Sequence, residues 1–182
     1  MKNLQFKQLL LLSDTQKKAN QFLFQKRFNL ITADDNSVGK STLAKLLLWT
    51  FGCEPDFDST WKSTDCKCLV DFSIDGTNYK ILRYQNFISL KEENKEILNY
   101  TNIGGDYSKK FAELVDFKVL LPKRGSDETE LVTPPPAYYF LPFYMDQKNS
   151  WSKTWNSFGN LGQFDNWQKT VIKYHLGYLS PK

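Results

Sequence analysis

The first half of the chain combines two apolar periods. The segments LQFKQLLLLS and NQFLFQK are apolar runs on either side of the polar residues Asp14–Ala19, which predicts two strands joined by a loop. A third short strand, FNLIT, is predicted at Phe28–Thr32. Beyond a glycine-containing loop, apolar residues return at helical spacing at Leu43, Leu46, Leu47 and Phe51. They predict a helix with one buried face, capped near Gly52.

From Cys68 onward the apolar period changes to two. Val70, Phe72 and Ile74 alternate with polar residues, and the pair Asp75-Gly76 is a two-residue hairpin signal. The alternation resumes after this pair and continues on either side of a polar turn at Glu92–Lys95. Residues 68–100 are therefore predicted to form an antiparallel β-meander inserted after a strand–loop–helix unit.

The second half of the chain is less periodic. Gly104-Gly105 interrupts the pattern, SKKFAELVDF is predicted as a short helix, and residues 122–137 as a charged, proline-rich loop. The run YYFLPFYMD is predicted as a buried strand that leads to Gln147, in a segment over residues 138–150. The tail over residues 151–182 is predicted to be helical, and its tryptophans to pack in a core or an interface.

The loop before the first helix contains a pattern that is typical of phosphate binding. Residues 33–42 read ADDNSVGKST, which is the phosphate-binding pattern G-x-x-x-x-G-K-[ST] with Asp34 in place of the first glycine. In such a loop the backbone N–H groups and the positive end of the helix dipole face an anion. Aspartate tolerates a positive φ, so it can keep the turn, at the cost of a negative charge beside an anionic ligand.

A nucleoside triphosphate with magnesium is the predicted ligand. Lys40 would reach the β- and γ-phosphates, the Ser41 hydroxyl would ligate magnesium, and Thr42 would lie near the α-phosphate. Gly39 would let the backbone approach closely. The predicted nucleotide-binding residues are Asn36, Ser37, Gly39, Lys40, Ser41 and Thr42.

A second acidic element is missing from the sequence. A complete P-loop NTPase needs an apolar strand that ends in an acidic residue and orients magnesium and water. The closest segment reaches Asp146, but Pro142 interrupts it. The groups that complete hydrolysis are therefore predicted to come from another segment.

This order of features resembles the N-terminal lobe of an ABC-class, AAA-like ATPase head of the SMC, RecN and RecF type. FNLITADDNSVGKSTLAKLL is similar to the family's N-x-I-x-G-x-N-x-x-G-K-S opening, and FYMDQ is similar to its glutamine loop. The matches are Asn29, Asn36, Gly39, Lys40, Ser41 and Thr42, with departures at Asp34 and Ser37. The resemblance implies an α/β fold, a P-loop NTPase half-domain with an antiparallel β-meander, in a single lobe over residues 1–182.

The resemblance also implies a mechanism. It makes Gln147 the second magnesium and water contact beside Ser41, and Lys40 and Gln147 the catalytic residues of an ATP hydrolase that is inactive as this isolated lobe. A C-terminal lobe would complete the site, and two heads would sandwich ATP and magnesium and bind double-stranded DNA in DNA repair or anti-phage defence. The aromatic tail is similar to the SMC-like subunit of Lamassu-type defence systems, which implies accessory or effector subunits.

The composition and charge of the chain bear on which classes of partner it can bind. The chain has 182 residues, 41% of them apolar, and its 24 basic and 20 acidic residues give a net charge of +4. Basic doublets at Lys17-Lys18, Lys26-Arg27, Lys109-Lys110 and Lys123-Arg124 are either solvated surface or a face that contacts DNA. Lys17 and Lys18 could alternatively reach the nucleotide.

Cysteine and histidine are scarce. Cys53, Cys66, Cys68 and His175 do not have the number and spacing of a zinc site, so free thiols in a reducing compartment are predicted. No apolar run is long enough to span a membrane. A soluble, cytoplasmic protein is predicted.

Two other function classes remain open. A self-contained small P-loop kinase would suit the length, but it needs its own acidic strand and an arginine-rich lid, and the chain has only Arg27, Arg83 and Arg124. The third class is a non-catalytic module that contacts DNA or a partner through a degenerate P-loop.

Overall fold

The chain has a mixed α/β fold with an antiparallel sheet, in a computed structural model that describes residues 2–35, 39–125, 130–148 and 155–178. It divides into two compact units. The sheet unit comprises Lys2–Phe51 and Asp56–Ile103. The helical unit comprises Gly52–Pro55 and Gly104–Lys182.

A six-stranded antiparallel sheet is the frame of the sheet unit. Its strands are β1 (Leu4–Ser13), β2 (Lys18–Leu23), β3 (Cys66–Ile74), β4 (Thr77–Tyr84), β5 (Phe87–Glu92) and β6 (Ile97–Tyr100), in the order β2-β1-β3-β4-β5-β6. Strand β1 occupies the predicted segment LQFKQLLLLS. The hairpin between β3 and β4 turns at Asp75 and Gly76, whose φ angles of 48° and 89° suit the predicted turn.

One face of this sheet packs against helix α1 (Lys40–Thr50). The buried side chains of that face include Leu9, Val70, Phe72, Ile81, Ile88 and Leu90. Phe51 follows the helix and is fully buried, with its ring centroid 5.6 Å from that of Phe6 and 4.9 Å from that of Phe72. Truncating a buried phenylalanine to alanine costs about 3–5 kcal/mol, so this contact fixes the helix on the sheet.

The strand predicted at Phe28–Thr32 is not formed. These residues have no regular secondary structure, and Phe28 and Leu30 are each 89% exposed. A strand satisfies its backbone N–H and C=O groups by pairing with another strand, and no strand in the described parts of the chain pairs with this segment. The prediction is wrong here because apolar composition alone does not supply a pairing partner.

The helical unit is built from short elements. They are α2 (Asp106–Val115), β7 (Leu121–Pro122), β8 (Leu131–Val132), α3 (Ala137–Phe140) and α4 (Trp167–His175), with 3₁₀ turns at Leu141–Phe143 and Leu161–Gln163. The two short strands pair antiparallel. Aromatic side chains dominate the core, and the buried ones include Phe111, Phe117, Tyr138, Tyr139 and Phe164.

The strand predicted at YYFLPFYMD is also wrong. The segment forms α3 and the 3₁₀ turn, and Tyr144 is the first extended residue after them. Pro136 has φ −53° at the start of the helix, which is close to helical geometry. The residues of α3 are all buried, and a fully buried apolar run carries no period that separates strand from helix.

The aromatic tail packs within the helical unit where it is described. Trp167 is buried and meets Tyr138 edge-on, with ring centroids 5.2 Å apart. Trp155 is half-buried, and Trp151 lies outside the described residues. The prediction of a core role is confirmed for Trp167. None of the helices in the described ranges is both long enough and apolar enough to cross a membrane.

Candidate functional site

Gly39 sets the start of helix α1. Its φ of 89° and ψ of 13° are left-handed, and a Cβ added there would meet no atom within 4 Å. The left-handed backbone, and not a lack of space for a side chain, therefore favours glycine at this position. Another residue would lower the stability of this conformation by about 1–2 kcal/mol. The Gly39 carbonyl accepts the Leu43 N–H at 3.0 Å, so the helix begins directly after the glycine.

The first turn of α1 is suited to an anion. Its leading N–H groups have no carbonyl one turn earlier in the helix, and the dipole places partial positive charge there. The turn contains no acidic residue, and Lys40 is its first residue. Ser41 is exposed and Thr42 is half-buried, so a hydroxyl group is open to solvent beside the N–H groups.

Lys40 folds back onto its own loop. Its Nζ donates to the Asp35 carbonyl at 2.8 Å. The Asp34 carboxylate is exposed and makes no hydrogen bond or ion pair with the described residues. Asp34, which stands in place of the first glycine of the pattern, therefore does not form a salt bridge that would occupy Lys40. Two predicted ligands, Asn36 and Ser37, lie outside the described residues.

These residues fit the phosphates of a nucleotide. Gly39, Lys40, Ser41 and Thr42 supply, within one turn, a left-handed glycine, an ammonium group, two hydroxyls and unpaired N–H donors. Gln147, the other predicted magnesium contact, is exposed and belongs to the helical unit.

Arg83 anchors the opposite end of α1, a role that sequence reasoning missed. The side chain is 2% exposed, and its Nη1 donates to the Trp49 carbonyl at 2.5 Å in the last turn. Its Nε donates to the Gln85 carbonyl at 2.8 Å, and its guanidinium lies 4.3 Å from the centroid of the Trp49 ring. A cation at a helix C-terminus satisfies end carbonyls and interacts favourably with the dipole. No local pattern could reveal this contact, because 34 residues separate Arg83 from Trp49.

Asn29 has a structural role before the loop. Its side-chain oxygen accepts the Gln25 N–H at 2.7 Å, and its amide nitrogen donates to the Gln25 carbonyl at 3.0 Å. This two-way contact replaces a strand partner for the Gln25 backbone. The asparagine therefore shapes the segment that leads toward the loop before α1.

The basic doublets differ between the two units. Lys17, Lys18, Lys26 and Arg27 in the sheet unit are exposed and form no ion pair with the described residues. In the helical unit, ion pairs join Lys109 to Asp106, Lys110 to Glu113 and Arg124 to Asp165. The sheet-unit doublets are thus the better candidates for contacts with external phosphates.

The remaining reactive side chains have structural partners. In the described ranges no disulfide joins Cys53, Cys66 or Cys68, and the sulfur atoms of Cys66 and Cys68 lie 3.8 Å apart. The hydrogen bond with Cys66, together with burial, raises the pKa of Cys68, which makes it a poor nucleophile. Asp65 hydrogen-bonds Tyr84 and raises the pKa of that phenol.

The chain is similar to two bacterial proteins. No protein-family description matches the chain. It is 27% identical over 180 residues to the Lamassu protein LmuB of Bacillus cereus strain VD014. The aligned region covers 98% of this chain and 31% of that protein. It is also 27% identical over 136 residues to the Lamassu protein LmuB of Bacillus sp. strain NIO-1130. That aligned region covers 74% of this chain and 23% of that protein.

The match to the Bacillus cereus protein includes both units of the chain. The similarity is therefore not limited to the short glycine-lysine pattern before α1. The chain spans less than a third of the length of either relative.

Proposed function

We propose that this chain is the ATP-binding N-terminal lobe of an SMC-like ATPase that acts in anti-phage defence. The observation that carries the nucleotide part is the start of α1, where Gly39 opens the helix and Lys40 lies over the loop without an acidic partner among the described residues. The similarity to two Lamassu proteins supports the defence part.

The exposed segment Phe28–Thr32 supports a second lobe. A stretch with Phe28, Leu30 and Ile31 exposed, directly before the phosphate loop, is costly to leave in water and lacks a strand partner in the described chain. We propose that a strand of a C-terminal ATPase lobe pairs with it. The greater length of the relatives leaves room for such a lobe.

The chemical groups at the start of α1 indicate which steps this chain would perform and which it would leave to a second lobe. The N–H groups at the start of α1 and the Lys40 ammonium would hold the phosphates, and the Ser41 hydroxyl would hold magnesium. Bound magnesium would neutralise phosphate charge. Cleavage requires the second lobe and a second head, so this chain alone binds ATP weakly and hydrolyses little.

DNA is the proposed macromolecular partner. Lys17, Lys18, Lys26 and Arg27 are exposed cations that can contact the phosphate backbone independently of base sequence. Binding through such contacts weakens steeply with added salt. Accessory defence subunits are further proposed partners.

Phage protection by the complete system tests the proposal. Bacteria that carry the full-length protein with its system are challenged with phage, using wild type, Lys40→Ala and the control Lys62→Ala, which removes an exposed lysine elsewhere in the sheet unit. Lys40→Ala should abolish protection and Lys62→Ala should retain it. Full protection by Lys40→Ala would favour a binding module with a degenerate phosphate loop.

A further inference from the structure

Two cysteines lie side by side at the start of β3. Cys66 is the first residue of this strand and Cys68 is the third, so their side chains are on the same face of the sheet. Their sulfur atoms are 3.8 Å apart and share a hydrogen bond. Both residues belong to the sheet unit, so one compact unit brings the two thiols into contact.

The two thiols differ in their access to solvent. Cys68 is completely buried, whereas Cys66 is half-buried. Cys66 also lines a pocket of about 330 Å³, and the walls of this pocket include Trp49, Trp61 and Lys62 of the same unit. A small molecule can therefore reach Cys66 directly, but it can reach Cys68 only through Cys66.

The hydrogen bond also makes the reactivity of the two thiols unequal. With Cys68 as the donor, this bond lowers the pKa of Cys66 and outweighs burial, which raises that pKa. The same bond and burial raise the pKa of Cys68. Of the charged neighbours, Asp65 raises the pKa of Cys66 and Arg83 lowers that of Cys68. Because the thiolate is the form that attacks a disulfide, Cys66 is the better nucleophile of the pair.

The geometry of a strand makes a bond between these cysteines strained. The Cα atoms of residues two apart in a strand are about 6.4–6.8 Å from each other, whereas a disulfide favours about 5.5–6 Å. A disulfide between Cys66 and Cys68 would therefore bend the start of β3. Strained disulfides are more easily reduced than structural ones and are typically labile. The pair is thus suited to reversible oxidation.

We propose that Cys66 and Cys68 form a reversible thiol–disulfide exchange site whose oxidant is a low-molecular-weight disulfide of the glutathione class. The Cys66 thiolate attacks one sulfur of that disulfide, the S–S bond breaks, and one small thiolate leaves. The Cys68 thiol then loses its proton and attacks the Cys66 sulfur, which releases the second small thiolate. The two leaving thiolates take up the two protons, so two protein thiols are oxidised while one small disulfide is reduced to two thiols. This inference does not depend on nucleotide binding.

The cysteine pair lies beside the end of α1. Cys68 is directly opposite Arg83 in the register of β3 and β4, and Arg83 donates to the Trp49 carbonyl in the last turn of α1. The Thr50 side chain of the same turn hydrogen-bonds Cys68. A bend of β3 at this point should weaken the contacts that hold α1. A disulfide that closes so short a loop adds little entropic stabilisation to offset this loss.

Tryptic mapping of the full-length protein tests the proposal. Trypsin cleaves after Lys67, between the two cysteines, so a disulfide between them keeps peptides 63–67 and 68–80 joined. The folded protein is incubated with excess glutathione disulfide, and its remaining thiols are blocked before digestion. The peptides should then be joined, with the loss of two hydrogen atoms, and excess reduced glutathione should separate them. The oxidised protein should also have a lower thermal midpoint than the reduced protein.

Single variants identify the attacking thiol. Cys68→Ala should stop at a mixed disulfide between Cys66 and glutathione. Cys66→Ser should leave Cys68 unmodified, because Cys68 is buried, and should remove the effect of the oxidant on the thermal midpoint. Cys53→Ser is the matched control, since it removes another buried thiol and should leave the joined peptides in place.

The mapping of the wild-type protein decides the proposal even where a variant does not fold. Separate peptides in excess glutathione disulfide would overturn the proposal, as would modification of Cys68 in folded Cys66→Ser. Joined peptides with an unchanged or higher thermal midpoint would contradict the weakening of the contacts at the end of α1.

Discussion

Asp34 is the residue that departs most from the phosphate-binding pattern. The expected positive φ is not found at Asp34, which is not among the described residues with a left-handed backbone, so the residue differs from the glycine of the pattern by its charge. In the described chain this carboxylate is exposed and unpaired, while Lys40 bonds a backbone carbonyl. The aspartate is thus a direct electrostatic cost for an anionic ligand that is not offset by a contact with Lys40.

Removing that charge should strengthen nucleotide binding. Asp34→Asn and Asp34→Gly should each tighten ATP binding by roughly three- to tenfold, since one nearby surface charge is worth about 1 kcal/mol. The Kd is measured by titration with a fluorescent ATP analogue. Glu96→Gln, which removes an exposed charge before the edge strand β6, should leave it unchanged. Equal affinity for Asp34→Asn and wild type would mean that the carboxylate does not face the ligand.

Protonation of His175 makes the stability of the helical unit depend on pH. Its ring stacks on Phe117 at 5.6 Å and meets Phe143 edge-on at 5.8 Å. Its Nδ1 is buried and has no hydrogen-bond partner in the described structure, and burial lowers the pKa of His175 below 6.5. The fold therefore favours the neutral ring, and the unfolded chain binds the proton first as the pH falls.

The stability of the chain should accordingly decrease below the ordinary histidine pKa. The contribution from His175 is fully present above about pH 6.5 and is lost as the pH falls toward the lower folded-state pKa. His175→Phe keeps an aromatic ring and removes this dependence. Urea unfolding from about pH 8 to about pH 5 measures it. Parallel stability curves for the two proteins would show that His175 is not the titrating group.

Helix α1 is the element on which the proposed site depends, and it is held at its C-terminal end. Phe51 packs between Phe6 and Phe72 beyond its C-terminus, while Arg83 bonds its last turn. These contacts orient the N-terminus, the proposed phosphate site, since the first turn is exposed or half-buried at Lys40 and Ser41.

Replacing Arg83 should loosen the helix. Arg83→Met should lower the free energy of unfolding by about 2–4 kcal/mol, because it leaves the Trp49 carbonyl without this donor and removes a charged hydrogen bond in a buried site. Arg124→Met is the matched control, since Arg124 forms an exposed ion pair worth about 0–1 kcal/mol. Urea unfolding compares the two variants. Similar losses from both would show that Arg83 does not anchor the helix.

The segment Phe28–Thr32 gives a second prediction for an element. Leu30→Ser should change the stability of this chain by less than about 0.5 kcal/mol, because Leu30 is 89% exposed. In the full-length protein the same change should cost about 1–3 kcal/mol by removing a buried contact with the second lobe. Unfolding of both proteins measures the difference. An equally small effect in the full-length protein would argue against pairing at this segment.

Local patterns predicted the elements whose partners lie close in sequence. The helix after Gly39, strand β1 and the Asp75-Gly76 turn follow from spacing and turn chemistry. The segment Phe28–Thr32 has strand composition, but its pairing depends on residues elsewhere. Helix α3 was predicted as a strand because its apolar run is buried all round.

The same distinction applies to the candidate site. Gly39, Lys40, Ser41 and Thr42 could be found from the motif because one turn of helix holds them all. The contribution of Arg83 could not, because tertiary contacts create it. The sequence showed Asp146 only as the end of an interrupted apolar run, and its burial and its bond to the Lys148 N–H depend on the fold.

At the scale of the whole molecule, we propose that the chain is a nucleotide-binding part whose chemistry is completed by another segment. The described residues supply the proposed phosphate contacts at one helix terminus, but the relatives are more than three times as long. Weak binding by this chain and turnover only in the full-length protein are the expected combination.

Nucleotide affinity in the Lys40→Ala variant tests the central claim most directly. The measurement is the Kd of the full-length protein for a fluorescent ATP analogue with magnesium, with Lys62→Ala as the control. Loss of the ammonium contact should weaken binding by about 10–100-fold, since a charged hydrogen bond is worth about 1.5–3 kcal/mol. An unchanged Kd in Lys40→Ala would contradict the claim that the start of α1 holds the phosphates.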